Sequence, residues 1–217
     1  MGTLVAPSPQ SRSRALYRRW AHRWDTPAAD SFARVASFGL GSTDTGHDWS
    51  EFQSGGTGPL WVVRDGAARL NADDAGQVHV ANLYTAKSDV NVKARVTIGA
   101  VTGATHGTAV TFRGIRGGGV YWAFAFVGGS SWALQRVDPG AGYAVTILAS
   151  TLTGPALAAG STYEFWARAT GTTIEGYLDG ALVLSGSSAV NQTETMHGMQ
   201  VRQYADHRFQ SWKCLRI

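Results

Sequence analysis

Apolar residues recur at every second position through most of the chain. The clearest run is 89–98, where Val90, Val92, Ala94, Val96 and Ile98 alternate with Asn91, Lys93, Arg95 and Thr97. Period 2 of this kind marks a strand with one buried and one wet face. Shorter runs fall at 60–64, 67–71, 77–84, 107–115, 119–127, 131–137, 143–150, 162–170, 172–178, 181–185, 198–204 and 208–217. Turn formers separate them: Asp65-Gly66, Gly117-Gly118-Gly119, Gly128-Gly129, Asp138-Pro139-Gly140, Gly171 and Asp179-Gly180. About a dozen closely spaced strands without an internal repeat predict an all-β sandwich or barrel. They place one domain at 30–217.

The first 29 residues depart from this pattern and read as an arm plus a linker. Residues 1–10 hold two prolines and little to pack, which predicts an extended leader. Over 12–24 the period changes to that of a helix, capped by Ser11 or Ser13 and stopped by Pro27. Leu16, Tyr17, Trp20 and Trp24 share an arc of about 100°, with Arg12, Arg18, Arg19, His22 and Arg23 opposite. Residues 26–30 form the linker.

Charge sharpens this division. The first 24 residues carry five arginines and no acid, whereas the rest of the chain sums to −1, so the pI of about 9.5 belongs to the arm. A short helix of this length is marginal alone and needs a surface. Arg12, Arg14, Leu16, Tyr17, Arg18, Arg19, Trp20, Arg23 and Trp24 are therefore the candidate assembly arm. Docking on a partner or a second copy is preferred over packing on its own sandwich. Membrane and nucleic acid rank together behind these two, so neither is the expected partner.

Composition supports the β reading. Charged residues make up 16% of the 217, below the ~25% of an average globular protein, while glycine reaches 27. With 8 Trp, 7 Tyr and 8 Phe, this argues against a helix bundle. No apolar run approaches the ~18–20 residues that span a bilayer, and no secretory signal is visible. Cys214 is the one cysteine, so no internal disulfide forms, and its apolar strand predicts an inert buried thiol.

Two stretches carry a resemblance. YEFWARATGTTIEGYLDGALVLS (163–185) resembles the strand–turn–strand–Asp-Gly–strand signature of concanavalin-A-like jelly rolls. HRFQSWKCLRI, at the end, looks like the closing strand that pairs with a first strand at 30–34. DSFARVASFGLGSTDTGHDW (30–49) looks like the opening motif of jelly-roll domains in minor tail and other virion structural proteins of actinobacterial phages and in some bacterial secreted proteins. Leu40 stands where that motif commonly has Trp. The resemblance covers 30–217. It implies a jelly-roll sandwich of two antiparallel sheets, here with a short N-terminal amphipathic helical arm.

The motif residues also have a direct physical reading. Phe32 and Trp49 supply buried area, Gly39, Gly41 and Gly46 permit turn dihedrals, and Asp44 suits an Asx turn. Asp44 and Asp48 alone are too few ligands for calcium.

Catalytic signatures are missing. The E-x-D-x-x-E string of laminarinase-type jelly rolls does not occur; the nearest acids are Glu164, Glu175 and Asp179. The histidines at 22, 47, 79, 106, 197 and 207 lack zinc spacing. Gly114–Gly119 reads as a hairpin tip, not a phosphate cradle. Asn191-Gln192-Thr193 matches a glycosylation acceptor. No metal or other cofactor is expected.

Sugar-binding candidates on the strand faces are Trp132, Tyr121, Trp166, Tyr177, Arg113 and Arg202. The resulting expectation is a non-enzymatic virion structural protein, a minor tail or head-decoration protein assembled in the host cytoplasm. The arm would attach it to other virion proteins in a homo-oligomer, with a trimer as the guess, and the sandwich would touch host-surface glycan. The alternative is a lectin-like bacterial carbohydrate-binding module, with a glycan hydrolase third.

Overall fold

The alternating stretches become two stacked sheets. The computed structural model describes residues 28–36, 38–54, 61–99, 107–203 and 206–217; the helix expected at 12–24 lies outside them. The strands are β1 (Ala28–Asp30), β2 (Ser50–Gln53), β3 (Trp61–Arg64), β4 (Ala67–Leu70), β5 (Asp74–Tyr84), β6 (Val90–Thr97), β7 (Gly107–Gly114), β8 (Tyr121–Gly128), β9 (Ser131–Asp138), β10 (Ala144–Thr151), β11 (Thr162–Thr170), β12 (Thr173–Leu178), β13 (Ala181–Ser187), β14 (Met196–Gln203) and β15 (Arg208–Arg216). The first sheet runs β13-β12-β11-β6-β15-β4-β3, with β1 beside β15. The second runs β10-β9-β8-β7-β14-β5-β2. Every strand pairing is antiparallel. No α-helix occurs among the described residues. This is an all-β jelly-roll-like sandwich.

Pleating explains which residues meet. In β6, Val90, Val92, Ala94 and Val96 are buried between the sheets, and the alternate positions face outward. Phe165 reaches across from the first sheet to Phe124 and Trp132 in the second, with centroids 6.3 and 5.2 Å away. Gly176 on β12 leaves room for this cluster. β7 and β8 behave differently, being buried on nearly every residue and so on both faces. That is why GVYWAFAFV reads as a continuous apolar run.

The chain closes as the resemblance implied, with a shift. β1 pairs with β15 through Ala28↔Cys214 and Asp30↔Trp212, but it ends where the sequence placed its start, inside the expected linker. Phe32, with φ +53, turns the chain away immediately after. Asp30 organises the opening motif. Its Oδ1 accepts from Phe32 N (2.9 Å), its two oxygens take a forked pair from Arg34 (2.6 and 2.8 Å), and Oδ2 accepts from Trp49 Nε1 (2.9 Å). Asp44 does not cap its own turn: its Oδ2 accepts from Ser31 N across the loop. Asp48 accepts from Ser42 Oγ. Cys214 is buried, which pushes its thiol up to about 12, as an inert core residue requires.

Candidate functional site

The outer face of the second sheet carries an apolar layer of its own. Val78, Val80, Ala109, Tyr121, Ala123, Ala125 and Val137 are buried there, with Phe52, Val127 and Tyr143 packed against them. An outer sheet face is ordinarily wet. A cavity of about 520 Å³ opens in this one, within the size range of small-ligand sites. It crosses the sheet. Val145 belongs to β10 and Gln135 and Val137 to β9; Ala125 and Val127 come from β8, Gly107 from β7, Gln200 and Arg202 from β14, and Gln77 and Val78 from β5. Ser54 follows β2.

Its polar groups are held in place. Tyr121 donates through its hydroxyl to Gln200 Oε1 at 2.8 Å, which fixes the amide's orientation. Burial keeps that phenol far from ionising. Ser54 Oγ donates to Gln77 Oε1 at 2.7 Å and accepts from Val78 N at 2.8 Å. Gly107 lies against the stem of Arg202, where a side chain would crowd it at 3.1 Å. The Nε of Arg202 is shielded from water and has no hydrogen-bond partner.

Tyr143 enters the cavity from the β9–β10 connection. Asp138 Oδ1 accepts from Ala141 N, closing a 3-10 turn over Pro139–Ala141, and Gly142 follows in the left-handed region. Tyr143 itself sits at φ +61, an uncommon backbone for a bulky side chain and one that concentrates at functional sites. Partial burial raises its pKa, so it remains a neutral phenol at neutral pH. The lining combines a phenol, three carboxamides, a guanidinium and a hydroxyl with an apolar floor. It contains no Asp or Glu among the described residues.

The six residues read from sequence as sugar contacts scatter. Arg202 lines this cavity, and Tyr121 lies behind it through Gln200. Trp132 is not on a wet face. It stacks on Phe124 between the sheets and donates through Nε1 to Pro155 O. Arg113 is fully buried, with Nη2 on Asp89 and Nε on the Ser88 carbonyl. Trp166 and Tyr177 lie on the outer face of the other sheet, stacked at 4.3 Å. Lys93 Nζ sits 4.0 Å from the Trp166 ring centroid, so neighbours cover both ring faces. Sequence reasoning missed Tyr143, Gln77, Gln135 and Gln200. The only available signal was glutamine interrupting apolar strands in QVHV, ALQRV and MQVRQ.

The remaining acids take structural roles. Glu164 pairs with Lys93 at 3.2 Å, Glu175 accepts from the Tyr177 hydroxyl, and Asp179 accepts from Glu164 N. Asn191 spends its side-chain amide on the Arg113 and Val120 carbonyls.

No family model and no curated protein matches the chain. Solved structures do match. The carbohydrate binding module CBM66 from Bacillus subtilis aligns at 15% identity with a TM-score of 0.53, over 76% of this chain and 91% of that one. A laminarinase from Flavobacterium sp. UMI-01 aligns at 10% identity and 0.58, over 87% and 98%. The exoplasmic/lumenal domain of VIP36, in its Ca2+/Man3GlcNAc-bound form, aligns at 11% and 0.54, over 78% and 85%. Identities this low show the fold, which is concanavalin-A-like. Nothing in these comparisons links the chain to proteins of actinobacterial phages.

Proposed function

We propose that the protein is a non-enzymatic carbohydrate-binding domain that holds glycan in the cavity on the outer face of its second sheet. The observation that carries this is the lining itself. Sugar rings present hydroxyls that pair with planar amide and guanidinium groups, and C–H faces that pack on apolar and aromatic surface. Gln77, Gln135, Gln200 and Arg202 supply the first requirement; Tyr143, Val137 and Val145 supply the second. The carbohydrate-binding module and the mannose-oligosaccharide-bound domain among the structural neighbours support the reading at fold level. Hydrolysis of a glycoside uses a pair of carboxyl groups about 5–9.5 Å apart. Among the described residues the cavity wall offers none, and Glu164 and Glu175 stand on the opposite sheet.

Calorimetric titration of an oligosaccharide panel tests this. Micromolar to millimolar binding is expected, weakened at least about tenfold by Tyr143→Ala or Gln135→Ala, or roughly 1.4 kcal/mol. Binding untouched by both changes, or release of reducing sugar, overturns it. The virion setting is a separate proposal that the opening motif alone carries. Its test is mass spectrometry of purified particles from a producing host, and absence of the chain removes it.

A further inference from the structure

We infer that the cavity selects acidic glycans, meeting a carboxylate or sulfate ester on the sugar with the guanidinium of Arg202. This rests on the carbohydrate-binding reading above and names the class of sugar.

Five of the described cations that are buried or half-buried are ion-paired. Arg34 is paired with Asp30, Arg69 with Asp65, Lys93 with Glu164, Arg113 with Asp89 and Arg168 with Glu175. Arg202, like Arg136, has no ion pair among the described residues although it is only partly exposed, and of the two it is Arg202 that lines this cavity. A guanidinium stays charged at any ordinary pH. Its Nε–H is shut away from water without an acceptor, a position that normally costs stability.

The surroundings do not neutralise it. Gln77, Gln135 and Gln200 are dipoles without charge, Tyr143 is a neutral phenol, and among the described residues no carboxylate lines the wall. Part of the carboxamide capacity is already spent inside the protein, since Ser54 and Tyr121 donate to Gln77 and Gln200. What the cavity then offers a ligand is one uncompensated positive charge beside amide groups. An arginine in such a place favours planar, forked recognition of an oxyanion, which supplies geometry as well as attraction. A neutral glycan would leave the charge half-desolvated and unpaired, and selectivity follows from that difference.

The test uses the full chain and three calorimetric titrants at low salt: a galacturonate hexamer, the same hexamer with its carboxyls reduced to alcohols, and a sulfated carrageenan oligosaccharide without carboxyl groups. At least one acidic titrant is expected to bind tenfold or more tightly than the reduced hexamer. That preference should shrink on raising salt to 0.5 M, as screening requires, and vanish in Arg202→Gln. Which acid binds identifies carboxylate or sulfate. Equal binding of the neutral hexamer, or a preference that survives Arg202→Gln, overturns the inference while leaving the carbohydrate reading standing. Failure of all three titrants to bind, together with a neutral panel that also fails, overturns both. Because Arg202 makes no ion pair among the described residues, Arg202→Gln should keep the parent melting transition, and that measurement separates lost recognition from lost folding.

Discussion

At Asp30 a single buried carboxylate satisfies four donors: the Phe32 amide, both terminal nitrogens of Arg34 and the Trp49 indole. Removing it strands the Trp49 N–H and leaves the guanidinium only the Leu40 carbonyl. Asp30→Ala should cost about 3 kcal/mol, read as a lower urea midpoint at unchanged slope. Gly176 poses the opposite problem. A methyl group there would lie 2.2 Å from Phe124 Cδ2, inside the Phe124–Trp132–Phe165 cluster. Gly176→Ala is expected to destabilise by about 1–3 kcal/mol through overpacking, although alanine suits a strand better than glycine. His197 adds a pH dependence. Its Nδ1 accepts from Arg113 N, so Nε2 carries the proton and donates to the Lys87 carbonyl at 2.7 Å. Burial first, and the Arg113 charge in addition, hold its pKa down to about 4. The unfolded chain titrates near 6.5. The neutral ring's contribution is therefore complete above pH 6.5 and is lost as pH falls toward 4, about 3 kcal/mol in all. Unfolding free energies measured from pH 7 to 4 should show this slope, and His197→Gln should flatten it.

Among elements, the two outer faces take different work, and their residues were unequally legible. Period 2 located nearly every strand, because side-chain alternation is a local property of the backbone. β2 escaped because SEFQ is short and lacks apolar alternation. The central strands hid their facing for another reason. Tyr121 and Trp122 are both buried, one in each layer, so hydropathy could not tell the layers apart. The cavity was hidden by topology: Gln77, Gln135 and Gln200 meet only because β14 inserts between β7 and β5. The first sheet's outer face shows how a persuasive aromatic pair misleads. β11 is flanked by β6 and β12, which bring Lys93 and Tyr177 to Trp166 from opposite sides. Trp166 Nε1 also donates to Asn91 Oδ1. The row is a cross-strand brace in which both faces of the Trp166 ring are covered. Trp166→Ala should therefore lower stability by roughly 1–2 kcal/mol and leave glycan affinity within twofold. A large loss of affinity with stability intact would move the site to this sheet.

For the whole molecule, the charge division has a consequence that truncation exposes. Five arginines and Asp25 precede residue 28, so residues 28–217 are formally neutral. β1 begins at Ala28, and its pairing with β15 places Ala28, Asp30 and Phe32 in the core. A chain of residues 28–217 should keep the full chain's melting transition to within a few degrees. One starting at residue 36 loses that strand and the Asp30 network, and should melt far lower or not cooperatively. The neutral form also decides where any acidic glycan is held. Arginines clustered near a chain end attract polyanions through screened, long-range charge, and such binding disappears when residues 1–27 are removed. Recognition at Arg202 is local to the second sheet and survives. Residues 28–217 should thus retain the preference for an acidic over a carboxyl-reduced hexamer, with Kd changed by less than threefold. A preference abolished by truncation but unaffected by Arg202→Gln would assign the anion to the first 27 residues and leave the cavity to neutral sugars.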